Sequence, residues 1–214
     1  MKKITATDVY QRLFSTYGAQ HWWPADTPFE VMVGAVLTQN CTWANAETAL
    51  NNLKTHDMLH CESIATSNQQ HLAEIIRASG TFQQKARYLQ QLALFYYKSG
   101  GHAELIKQPL KLLRKQLLGI YGIGPETADS ILLYALDKPS FVIDAYTKRL
   151  FVRLKHFNHQ FDYDSMQNYF EQRLPHDVAL FKEFHALIVS HGKRYCQTKP
   201  LCSQCPLAAC CPTA

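Results

Sequence analysis

No stretch of this sequence approaches 18 uninterrupted apolar residues, which excludes a membrane-spanning helix. The start, Met1-Lys2-Lys3-Ile4-Thr5-Ala6-Thr7-Asp8, runs straight into an amphipathic pattern and lacks the apolar region of a secretory signal. There is no fixed-period repeat and no low-complexity tract. Alternating apolar and polar runs closed by hairpin turns are missing as well, which argues against a sheet. Nor does one charge sign dominate. Lys plus Arg number 22 against 17 Asp plus Glu, and the resulting +5 inclines toward anionic partners without requiring one. The expectation from these absences is a soluble, cytoplasmic protein without a membrane partner; a monomer is expected, though no residue pattern fixes the oligomeric state.

What is present is ample core material. With 47% hydrophobic residues, 214 residues form one domain or two interleaved ones, and disorder and collagen-like order are excluded. Helical periodicity prevails. Thr27-Pro28-Phe29-Glu30 combines an N-cap threonine, proline at the first helical position and glutamate three residues after the cap. Phe29, Met32, Val33, Val36 and Leu37 then make an apolar face. Phe82, Ala86, Leu89, Leu92, Ala93 and Tyr96 keep the same spacing up to Gly100-Gly101, and Leu180, Phe184, Leu187 and Ile188 repeat it before Gly192. Further helices are predicted near 6–17, 43–53, 70–78, 110–118, 125–136, 144–156 and 163–173. The fold class is all-α.

The stretch Leu117-Leu118-Gly119-Ile120-Tyr121-Gly122-Ile123-Gly124-Pro125-Glu126-Thr127-Ala128-Asp129 reads as two helices joined by a tight turn. Glycine at both flanks permits positive φ and a close backbone approach, while Ile123 plugs the junction. The turn amides and the unpaired N–H groups opening the second helix form a donor cluster suited to a phosphate. By itself, such a Gly-x-Gly reads first as an ordinary turn between helices.

Cysteine is placed unevenly: five of the seven fall between Cys196 and Cys211, while Cys41 and Cys61 stand apart. In a cytosolic chain such a group reads as metal binding before disulfides. Cys196, Cys202, Cys205 and Cys211 are separated by five, two and five residues. Four thiolates on one short loop suit either a cubane cluster or a tetrahedral zinc. His191, Lys193, Arg194 and Lys199 nearby form either a phosphate-facing patch or a plain solvated face.

The hairpin, its continuation Ala128-Asp129-Ser130-Ile131-Leu132-Leu133-Tyr134-Ala135, and Phe141-Val142-Ile143-Asp144-Ala145-Tyr146 together resemble the endonuclease III superfamily of DNA glycosylases, from about residue 20 to the carboxyl end. The resemblance implies a two-lobed helix-hairpin-helix fold. One lobe spans 21–134 and ends in the hairpin. The other joins 1–20 to 135–214 and carries a cluster loop at 196–211, with a damaged base of double-stranded DNA bound between the lobes. It implies that Asp144 is catalytic, while the residues alone also read Asp144 as a helix N-cap. Gly122, Ile123, Gly124 and Thr127 then grip the strand. The strand-cutting branch carries a lysine two residues after the second hairpin glycine. Here that position is Glu126, which cannot form an imine and also complements its helix dipole.

Gly122 to Ala135 is most similar to the 3-methyladenine DNA glycosylases of the endonuclease III type. That resemblance implies a base pocket of Trp22, Trp23, Pro24, Trp43 and Glu126, selective for an alkylated purine and monofunctional. An aromatic pocket also suits a cationic base on physical grounds. Gln39 and Asn40 are expected to fill the gap left by the flipped base, and Lys199 to meet the backbone. A [4Fe–4S] cluster follows from the same resemblance, although the first cysteine gap is one residue shorter than the family's. Cys211 rather than Cys210 keeps the last interval. Two rival functions are a glycosylase/lyase acting on oxidised pyrimidines and a non-catalytic iron–sulfur protein that binds DNA.

Overall fold

The structure is a computed structural model describing residues 3–158 and 160–214, and among these residues it is helical without strands. It divides into two compact units, Trp23–Lys138 and the amino-terminal stretch through Trp22 with Pro139–Ala214. The sequence reading set the bounds at 21 and 134. The carboxyl boundary comes later because Lys138 stays tied to the first unit, its N–H donating to Leu132 O at 2.8 Å and its Nζ to Ile106 O at 2.7 Å.

The unit of residues 23–138 contains α2 (Pro28–Leu37), α3 (Trp43–Thr55), α4 (Cys61–Thr66), α5 (Gln69–Ile75), α6 (Phe82–Lys98), α7 (His102–Leu105), α8 (Leu110–Leu118) and α9 (Pro125–Ser130). Helix α2 starts as its sequence dictates: Thr27 Oγ1 accepts from the Glu30 N–H at 3.1 Å, and Pro28 takes the position that needs no donor. Its burial exceeds a single face. Every residue from Phe29 to Leu37 is buried, so α2 is the central rod of this unit rather than an amphipathic surface helix.

The predicted helix 125–136 changes character at Ser130. From Ile131 to Ala135 the turn widens to a π-helix, and Leu136 N–H reaches back five residues to Ile131 O at 3.1 Å. Periodicity over so short a segment cannot distinguish the two. The short α4 and α7 were missed because neither spans two helical periods, and neither has a side-chain cap.

The other unit contains α1 (Ala6–Tyr17), α10 (Ala145–Arg153), α11 (Tyr163–Glu171) and α12 (Val178–Arg194). Its core is aromatic: Phe141 and Phe170 stack at 4.2 Å, with Phe151, Phe181 and Phe184 packed edge-on around them. Tyr10 of α1 meets Phe184 of α12 at 5.4 Å. Gly192 was expected to stop the last helix, yet α12 continues to Arg194. The glycine serves packing instead. A Cβ there would stand 2.4 Å from the Tyr146 ring, so its bare Cα is what admits α10 against α12.

Candidate nucleic-acid interface and active site

Helices α8 and α9 frame the bend that carries the glycines. Gly122 sits at φ +89°, a region L side chains rarely adopt, and a Cβ on it would fall 2.1 Å from the Tyr88 ring. Gly124 has φ −89° and ψ 176°, ordinary extended backbone, with nothing within 4 Å of a Cβ built on it. Positive φ is thus used at Gly122 alone. Gly124 instead keeps the approach to the start of α9 free of any side chain. Ile123 is buried in the junction, with its N–H donating to Ile120 O at 3.1 Å.

Two devices hold the bend. Arg114 of α8 donates from Nε to Asp129 Oδ1 at 2.9 Å and from a second nitrogen to Oδ2 at 3.2 Å, a fork onto a carboxylate with no solvent exposure. Gln39 Nε2, just beyond α2, donates to Gly122 O and to Thr127 Oγ1, both at 3.0 Å. The Gln39 side chain is therefore engaged by the hairpin. Its neighbour Asn40 is exposed and left-handed at φ +48°, where asparagine is tolerated. Glu126 is exposed in the first turn of α9, and Thr127 is buried.

Asp144 is the N-cap of α10, and its Oδ1 accepts from the Thr147 N–H at 2.7 Å. Its Oδ2 lies 3.6 Å from His185 Nε2 on α12. Burial pushes the carboxyl upward, but His185 and the Thr147 N–H outweigh it and hold Asp144 below its ordinary value. It is an ionised carboxylate in a nearly closed setting, 8% exposed. Cap and charge centre are one residue, so the two readings of Asp144 coexist. His185 was not anticipated. It lies 41 positions further on, and within its helix it reads simply as another core residue.

The tryptophans separate. Trp23 meets Trp43 edge to face at 5.4 Å and Tyr134 at 5.4 Å, within the unit of residues 23–138. Trp22 belongs to the other unit, where the Lys193 ammonium stands 5.5 Å over its ring. Pro24 and Trp43 line a cavity of about 240 Å³ that also admits Asp26, Glu30, Glu47 and Lys54. Trp22, Trp23 and Glu126 do not line it. Lys85 is a further residue that sequence reasoning missed. Fully buried, its Nζ donates to Leu37 O at 2.8 Å and Ser79 O at 2.6 Å, so it closes the end of α2 two residues before Gln39. No sequence signal marks it, because a lysine on an otherwise amphipathic helix reads as solvated.

At the carboxyl end, Cys196, Cys202, Cys205 and Cys211 line one pocket with His191, Tyr195 and Leu207. Cys210 faces elsewhere, lining a groove with Thr5, Asp8 and Arg12. Burial and then the neighbouring Cys196, Cys211 and Cys202 hold the Cys205 thiol above its usual range. Arg153 donates to Cys196 Sγ at 3.2 Å and to the carbonyls of Gln197 and Thr198, while Arg149 Nε donates to Cys196 O at 2.6 Å. Among the described residues no group of three His, Cys, Asp or Glu side chains is arranged to hold a metal ion.

The basic patch is thinner than the sequence implied. His191 is buried, shares a 2.9 Å hydrogen bond with Tyr17, and is pushed down to about 4 by burial, so it presents no charge to a phosphate. Arg194 stacks on Tyr17 at 4.9 Å. Lys199 is exposed.

Residues 33–176 match the family model described as HhH-GPD superfamily base excision DNA repair protein, and the chain belongs to that family. A Methanocaldococcus jannaschii protein provisionally named as a DNA repair glycosylase is 47% identical over 95% of this chain and 94% of its own length. Endonuclease III of Sulfolobus acidocaldarius is 29% identical over 83% of this chain and 78% of that protein. Among solved structures, the H. pylori 3-methyladenine DNA glycosylase bound to 1,N6-ethenoadenine superposes with TM-score 0.76, 29% identity and coverage of 89% and 98%. A non-covalent endonuclease III–DNA complex shares the fold at TM-score 0.83 and 20% identity, covering 98% and 96%. This is a base excision DNA repair glycosylase with the all-helical architecture of its family. None of its described helices is long and apolar enough to cross a membrane.

Proposed function

We propose that the chain is a monofunctional glycosylase that hydrolyses the N-glycosidic bond of an alkylated purine in double-stranded DNA and leaves the strand intact. The observation that carries this reading is the ionised, nearly buried Asp144 at the start of α10. Departure of a base builds positive charge on the deoxyribose. A carboxylate held ionised stabilises that charge and orients or deprotonates the attacking water. Thr147 and His185 position it.

Absence of strand cutting rests on Glu126, a carboxylate where imine chemistry requires an amine. The bend from Gly122 to Gly124, with Thr127, takes the phosphates, and Lys199 adds a further backbone contact. Trp23, Trp43 and Pro24, with Trp22 and Glu126, receive the flipped base, whose delocalised positive charge stacks on indole faces. Gln39 and Asn40 occupy the vacated space, for which Gln39 exchanges its bonds to the hairpin for bonds to the orphaned base. The H. pylori relative, named for 3-methyladenine, supports this substrate class.

Cys196, Cys202, Cys205 and Cys211 are the proposed holders of a [4Fe–4S] cluster. Around one zinc, at Zn–S distances of about 2.3 Å, thiolates would stand about 3.8 Å apart. Here the four share the walls of one pocket without being arranged about a single point, which suits a larger core. When bound, such a core supplies a fold staple and a one-electron couple. The chemistry of base release is assigned to Asp144 alone.

The test is release of free base from duplexes carrying alkylated, oxidised or deaminated bases, with borohydride trapping on abasic DNA alongside. Release of methylated adenine without a covalent adduct is expected. An adduct would transfer the chain to the lyase reading, for which the Lys193 ammonium over Trp22 and Lys54 in the cavity of Pro24 and Trp43 are the candidate amines. No release from any duplex would leave a DNA-binding protein without catalysis.

A further inference from the structure

Outside the residues already assigned, consecutive side chains of α6 seat on consecutive residues of the bend. Tyr88 fills the space that Gly122 leaves, and the Arg87 guanidinium stands over the Tyr121 ring, 4.5 Å from its centroid. Tyr88 and Tyr121 also meet edge to face at 5.5 Å, so the three form one block against the hairpin. The block is not hidden. Tyr121 is 58% exposed, the most exposed large hydrophobic side chain among the described residues, and Arg87 is exposed beside it. Arg87 also makes no ion pair with an acidic side chain among the described residues. The guanidinium is thus held by the ring, while N–H donors remain available to an outside acceptor.

A cation immobilised on an aromatic, beside a bend that takes phosphates and without an internal anion, is built for an external one. We infer that Arg87, held by Tyr121, is a second phosphate contact of this unit, binding the DNA strand next to the phosphate held by the Gly122–Gly124 bend. This rests on the proposed function, since it assigns a further contact to the same strand. The stack is the specific part. It removes the side-chain freedom that an exposed arginine would otherwise lose on binding, and it gives Tyr121 a reason to stand exposed.

The experiment is binding of the full-length protein to a duplex containing an uncleavable abasic-site analogue, by fluorescence anisotropy from 50 to 200 mM salt, roughly the range over which phosphate contacts are read. Arg87→Ala should weaken binding to damaged and undamaged duplexes by the same factor. It should also flatten the slope of log affinity against log salt by about 0.9, the loss of one phosphate contact. Arg87→Lys should keep most of the slope, and Tyr121→Leu should lower affinity while leaving the slope near wild type, because the charge remains but is no longer fixed. Arg87→Ala with the wild-type slope, in a protein that still releases base, overturns the inference and leaves the proposed function standing. Wild-type protein that binds DNA and loses slope on Arg87→Ala, yet releases no base, does the reverse. A wild type that binds no DNA overturns both.

Discussion

Replacing each hairpin glycine by alanine separates what the bend needs in order to fold from what it needs in order to bind. At Gly122, alanine must adopt φ +89°, which costs about 1–2 kcal/mol for an L residue. Its Cβ, built 2.1 Å from Tyr88, forces that ring and its neighbours aside, at a further overpacking cost of about 1–3 kcal/mol. The total of roughly 2–5 kcal/mol corresponds to a fall in Tm on the order of 10 °C for a chain of this size. At Gly124, φ −89° suits alanine and the Cβ meets nothing, so stability should hold or rise by about 0.4–1 kcal/mol. If the bend takes a phosphate at the start of α9, the new methyl at its N-cap intrudes on that approach, so Gly124→Ala should weaken DNA binding while the fold is intact. Thermal unfolding and duplex binding, measured on both variants, decide the matter. Gly122→Ala as stable as wild type, or Gly124→Ala with wild-type affinity, would show that the two glycines are not divided in this way.

Asp144→Asn should abolish base release in single-turnover assays while leaving duplex binding within about threefold, a change of at most about 0.7 kcal/mol. Because His185 and Thr147 hold the Asp144 carboxyl below its ordinary value, it is deprotonated in the folded protein where an unfolded chain would already bind a proton. Stability from this group is therefore complete above the unfolded value and lost as pH falls through the folded one. The acid limb of kcat/KM should lie below the usual carboxylate range, and His185→Gln should move it upward. A limb that stays in place in that variant would remove His185 from the site. Cys205→Ala should abolish a visible absorbance band expected near roughly 400 nm if iron fills the site, whereas Cys210→Ala should retain it. Equal loss in both would reopen the choice of fourth ligand. Arg114→Ala strips the fully buried Asp129 of its forked partner, and chemical denaturation should show a loss of about 3–5 kcal/mol.

The helices were legible wherever cap chemistry and a full apolar period coincide, as at Thr27–Pro28, and illegible where a segment was shorter than two turns, as in α4 and α7. The widened turn at 131–135 is invisible to periodicity because its residues are buried on every side. The catalytic expectation for Asp144 came from the family resemblance alone, but the hairpin and the N-cap reading of Asp144 stood out because their requirements are local: a turn, a cap, a helix start. What pairs across the chain did not. His185 beside Asp144, Lys85 closing α2 and Lys193 over Trp22 are ordinary letters at ordinary helical positions, and only the fold gives them neighbours. Gly192 shows the converse, a residue whose usual local meaning as a stop is overridden by the Tyr146 ring it admits.

The way the chain threads its two units also sets an order of assembly on the ribosome. Residues 23–138 are contiguous, so they can close around α2 as soon as they emerge. Helix α1, made before residues 23–138, has to wait for Phe184 and its surroundings before Tyr10 finds its seat. During that interval it is an apolar-faced helix without a home. Within its unit the earliest helix to be made is thus among the last to dock, and damage to α12 should be felt far away in the sequence, as exposure of α1 to proteolysis.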